Sequence, residues 1–167
     1  MTLYFFVKFI HVFFVMMWAM SAVGAYVFYL RATVYDLRDN PGDPKLQERL
    51  VWAYEQFDKT VILEHIAFPI VLVTGATMFV LGGWTLASHW LAVKLAIVVF
   101  IFIPMELLDI WISHVLGPRI SRRRKTAPNE WDEGRALHLK FLQWMSPTVR
   151  ITVPAVLLLA VAKPMIW

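Results

Sequence analysis

The sequence predicts an all-α integral membrane protein, a four-helix bundle with an amphipathic helix in each of two cytoplasmic loops. Three observations predict it. Hydrophobic residues make up 59% of the chain and charged residues 17%, well away from a soluble domain. Four apolar runs reach the length of about 20 residues that crosses a bilayer. Lys and Arg gather in two of the three connections between those runs and avoid the other. With 167 residues the length suits one domain, so residues 1–167 are read as a single transmembrane domain with spans at about 3–29, 60–81, 89–115 and 148–167. The chain has no cysteine, which excludes disulfides and thiolate metal sites.

The first run, Thr2 to Tyr29, lacks a basic leading region and a small-residue cleavage site, so it is expected to be a retained span and not a cleaved signal. Lys8, His11, Val15, Trp18 and Ala22 recur at three- and four-residue steps and share one face. Ser21, Ala22 and Ala25 are small enough to admit a helix or a flat ligand close by. A polar connection follows, with a turn signal at Asn40-Pro41-Gly42-Asp43-Pro44. Asp43 suits a helix cap and Pro44 the first helical position. From Lys45 the pattern is helical and amphipathic, and can run unbroken into the second span. That span holds Glu64, His65, the helix-weakening Pro69 and the close-packing pair Gly75-Ala76.

Gly82–Trp90 joins the second and third spans. The third holds Lys94, Pro104, Glu106, Asp109 and His114, with Glu106 and Asp109 three apart on one face. A basic loop, GPRISRRRKTAP, leads to a short surface helix that Asn129 can cap and that should stop at Ser146-Pro147. The fourth span, with Pro154 inside and Lys163-Pro164 at its end, is the least polar. Tyr4, Trp84, Trp90, Trp144 and Trp167 fall near span ends, as interfacial aromatic residues do.

Orientation follows from Lys and Arg, which total eight in Gly117–Arg150, five in Arg31–Lys59 and none in Gly82–Trp90. Basic loops stay on the cytoplasmic side. Loops 31–59 and 117–147 are therefore expected there, with both termini outside. The basic run Arg119–Lys125 suits a topology signal beside anionic lipid, and no role with nucleic acid is expected.

Depth then sorts the polar residues. At 1.5 Å per residue, His11 lies about 12–14 Å and Lys94 about 6–9 Å from the outer surface. His89 sits at the rim. Glu64, His65, Glu106, Asp109 and His114 belong to the inner half. Ionisable groups within a span are costly and point to function. His11 and a neighbouring amine are suitable axial donors for a b-type haem, with Trp18 lining one edge. His11 can equally serve as an interhelical hydrogen-bonding group, and Lys8 and Lys94 can snorkel to the surface. Glu106, Asp109 and His114 suit a proton relay, an ion-pair role or a divalent metal. His138, on the surface helix, is expected to face water.

Lys8-Phe9-Ile10-His11 followed by Trp18 resembles the first helix of the HemJ-type membrane proteins, four-helix bacterial proteins linked to oxidation of protoporphyrinogen IX. The resemblance continues with Pro69, with Trp90 and Lys94 in HWLAVK, and with Val161-Ala162-Lys163-Pro164. It implies haem b as cofactor and His11 and Lys94 as its ligands. It implies a porphyrin substrate, a quinone or membrane carrier as electron acceptor, and a bacterial inner-membrane location. The sequence departs from that family at Gln56-Phe57-Asp58-Lys59 and at Pro104–Asp109, and also resembles CopD-like copper proteins. Two further readings stand beside a membrane oxidoreductase. One is a non-catalytic subunit of a larger membrane complex; the other is a metal-handling protein that works as a homo-oligomer.

Overall fold

The structure, a computed structural model, describes residues 2–117, 119 and 128–163. Most of the described residues are helical, with no strand among them. Four helices are long and apolar enough to cross a membrane: Leu3–Asp39, Pro44–Leu81, His89–Leu116 and Ala136–Ala162. The protein is a multi-pass, all-α membrane protein. The chain divides into two compact units, Met1–Trp84 and Thr85–Trp167.

In the first unit, α1 (Thr2–Ala25) passes through a π-helical stretch, Tyr26–Arg31, into α2 (Ala32–Asp39). The first span was expected to end near residue 29, with a polar connection after it. Instead the helix runs on to Asp39, and the turn is confined to Asn40–Asp43. Its polar composition hides a buried stripe, because Leu30 and Thr33 are sealed where α2 packs on the following helix. Tertiary packing thus carries the helix beyond the apolar run.

The second arm, α3 (Pro44–Leu81), is one unbroken helix of 38 residues, as its amphipathic start anticipates. The Asp43 carboxylate accepts a hydrogen bond from the Lys45 amide at 2.8 Å, and Pro44 opens the helix. Ala53, Phe57, Val61, Glu64 and Phe68 line its buried side. Pro69 lies inside the helix without breaking it, as membrane helices tolerate. Thr60, Thr74 and Thr77 each donate to the carbonyl four residues earlier, which satisfies hydroxyls that lipid cannot solvate. Ser21 on α1 does the same to Met17 at 2.8 Å. Ser21 is buried; the side chains of Ala22 and Ala25 lie outside the described residues.

In the second unit, α4 (His89–Ile97) continues through a π-helical stretch, Val98–Phe102, into α5 (Ile103–Ile110) and a second such stretch, Trp111–Leu116. The first stretch precedes Pro104, whose ring crowds the carbonyl four residues earlier. That carbonyl belongs to Phe100, inside the wider turn. Last comes α6 (Pro128–Ala162), 35 residues long. It was expected as two pieces, a surface helix ending at Ser146-Pro147 and a span at about 148–167. It is a single helix through both Pro147 and Pro154. It starts at Pro128, so Asn129 lies in the first turn and not at the cap. Lys163 follows at φ 41°, a left-handed residue closing the helix. Residues 120–127, which hold most of the basic run, and residues 164–167 lie outside the described set.

Candidate functional site

His11 is placed by the pairing of α1 with α3. The ring is partly buried, and its Nδ1 is hydrogen-bonded to Thr74 Oγ1 at 3.0 Å. The same hydroxyl contacts its own backbone, at 2.6 Å from Ile70 O and 3.2 Å from Val71 O. Gly75 follows Thr74 and lets the ring approach. A Cβ there would lie 3.2 Å from His11 Cε1 and 3.7 Å from Nδ1. The sequence marked Gly75 as a close-packing residue; what it packs against is the histidine. Thr74 passed unremarked, although a hydroxyl beside a glycine within a span was its signal.

Trp18, two turns along α1, is 4% exposed and packs on Phe68 of α3 with ring centroids 5.6 Å apart. It braces the helix pair on the side of His11 away from the N-terminus. Lys8, on the same helical face in projection, is exposed, which suits a snorkelling lysine. Lys94 and His89 lie on α4 in the second unit; Lys94 is half-buried and His89 exposed.

The carboxylates of the third span are deeply placed. Glu106 and Asp109 are 2% and 1% exposed. Asp109 Oδ1 lies 3.6 Å from Nε2 of His138 on α6. His138 was expected to face water on a surface helix; it is buried. Its spacing explains why: His138, Leu142, Met145 and Val149 recur at helical steps and are all buried. His114, the expected third member of a relay with Glu106 and Asp109, is on the exposed side of its helix. Ser113 Oγ is sealed and has no hydrogen-bond partner among the described residues. Arg150, weighed as a partner for the carboxylates, is exposed. In the first unit Glu64 is fully buried and His65 partly so.

Chemically, the two units offer different things. The first presents an imidazole oriented by a hydrogen bond at one ring nitrogen, as histidines that bind metals commonly are. The second presents buried carboxylates beside an imidazole, a set able to hold protons within a span. Among the described residues no group of three or more His, Asp or Glu side chains is gathered to hold a metal ion.

No family model matches the chain, and neither does any curated protein or solved structure.

Proposed function

We propose that this chain is an integral membrane redox protein that binds b-type haem, with His11 as one axial ligand. One observation carries the reading: an imidazole inside a span, fixed to Thr74 across the helix pair and seated over Gly75. An ionisable ring inside a span, held in one orientation by a hydrogen bond at one nitrogen, is the arrangement that supports this reading. Lys94 is the proposed second ligand and His89 its alternative. Haem supplies one-electron transfer; the protein supplies donors, orientation and a dry surrounding. Trp18 and Phe68 keep the helix pair fixed on one side of the ligand.

The resemblance to the HemJ-type proteins extends the proposal to oxidation of protoporphyrinogen IX, with a quinone or another membrane carrier taking the electrons. Protons then leave through buried groups. Glu106 and Asp109 are the carriers on α5, and the contact of Asp109 with His138 favours that imidazole over His114. The bacterial inner membrane is the proposed location, with loops 31–59 and 117–147 cytoplasmic and the termini outside.

The test is the visible absorption spectrum of protein purified from cells supplied with haem. A Soret band, lost or shifted in His11→Ala and in Lys94→Ala, is the expected result. A colourless protein, or a band indifferent to His11, ends the proposal and favours a subunit role in a larger membrane complex.

A further inference from the structure

We propose that Thr74 is a positioning residue that holds His11 in its Nδ1–H form and makes Nε2 the electron-pair donor of the first span. A threonine hydroxyl has one hydrogen and two acceptor lone pairs. Thr74 Oγ1 lies 2.6 Å from Ile70 O and 3.2 Å from Val71 O. Both carbonyl oxygens accept only, and two oxygens approach to 2.6 Å only with a hydrogen between them. The hydroxyl hydrogen is therefore committed to the α3 backbone, and Thr74 has only lone pairs to offer His11.

The 3.0 Å contact with Nδ1 is then a hydrogen bond in one direction: Nδ1–H donates and Thr74 Oγ1 accepts. A neutral imidazole has one N–H and one lone pair, so the lone pair is on Nε2. Gly75 contributes by leaving the Cε1–Nδ1 edge room to reach the hydroxyl, since a Cβ there would crowd Cε1 at 3.2 Å. The chain from backbone carbonyl to hydroxyl to imidazole thus sets the tautomer from the Nδ1 side. A donor bond at Nδ1 also makes Nε2 a stronger base and ligand.

The tautomer stands on the geometry alone; its use as a haem ligand rests on the proposed function. The experiment separates the two. Protein carrying 15N-labelled histidine is prepared in lipid nanodiscs without added haem, at a pH where the ring is neutral. The His11 signals are assigned by their loss in His11→Gln. The expected spectrum is a protonated Nδ1 and an unprotonated Nε2. Thr74→Val should shift it toward a tautomer mixture, and Thr74→Ser should restore the wild-type pattern. A protonated Nε2 in the wild type, or a Thr74→Val spectrum identical to it, overturns the inference. With haem supplied, Thr74→Val should weaken cofactor retention by about 10-fold, and Thr74→Ser should not. If the wild type takes up no haem while the tautomer is as expected, the proposed function fails and the positioning role of Thr74 stands.

Discussion

Asp109 on α5 and His138 on α6 meet with Oδ1 and Nε2 3.6 Å apart, and their side chains are 2% and 10% exposed. The contact ties the third span to the fourth through polar groups, one turn from the buried Glu106. Taking either group away leaves the other buried with less compensation. Asp109→Leu or His138→Leu should each lower stability by about 3 kcal/mol. The double variant should recover at least half of the combined loss. Unfolding in mixed micelles, followed by helical circular dichroism, gives the double-mutant cycle. Additive losses would show that the two groups act independently.

Gly75→Ala places a methyl group 3.2 Å from His11 Cε1. Overpacking of this kind destabilises by about 1 kcal/mol, although alanine is intrinsically the better helix former. In a His11→Ala background the crowding disappears, and the same substitution should become neutral or stabilising. The change of sign, read from thermal melts of the four proteins, checks that the glycine exists for the ring.

Trp18→Ala removes a nearly sealed indole from its contact with Phe68, 5.6 Å between centroids. The expected loss is about 3 kcal/mol. The helix pair should remain formed, because α1 and α3 pack along their length. A melting temperature unchanged from wild type would mean that the indole site collapses without penalty.

Asp43→Ala deletes the carboxylate that caps α3 at the Lys45 amide, 2.8 Å away. A cap of this kind is worth about 1 kcal/mol. Amide hydrogen exchange should quicken at Lys45 while exchange around Thr74 stays as it is. Asp43→Ser should retain most of the protection.

The absence of cysteine makes the orientation directly testable. Gly42→Cys and Ala87→Cys place single thiols in the first two of the three links between spans. Under the proposed orientation, a membrane-impermeant maleimide added to intact cells labels Ala87→Cys and labels Gly42→Cys only after lysis. The reverse pattern would invert the topology.

The spans, the Asp43–Pro44 start of α3 and the closeness of Gly75 to another element were legible in the sequence, because each depends on local composition or on one residue's special geometry. The extension of the first helix to Asp39 was not. Arg31, Asp36, Arg38 and Asp39 give that stretch the composition of a loop, and only packing of Leu30 and Thr33 on α3 makes it helical. Pro147 misled for a related reason: a proline removes one hydrogen bond and crowds one carbonyl, which a long packed helix absorbs. His138 shows the remaining gap. Its own helix carries enough charge to look solvated, which masks the buried stripe it shares with Leu142, Met145 and Val149, and its partner Asp109 lies on another helix, where no local pattern could announce the contact.

The long helical arms of the first hairpin have a mechanical consequence. The helix of Leu3–Asp39 and that of Pro44–Leu81 are each about 55 Å long, against about 30 Å of hydrocarbon, so both arms are longer than a span requires. Both arms stay helical from the Asn40–Asp43 link to the level of His11 and Thr74, the first through the π-helical stretch Tyr26–Arg31 and the second past Pro69. Sliding one arm past the other by a single turn displaces it 5.4 Å, enough to part the imidazole from its hydroxyl. The His11–Thr74 contact therefore fixes the register of the two arms as well as the orientation of the ring.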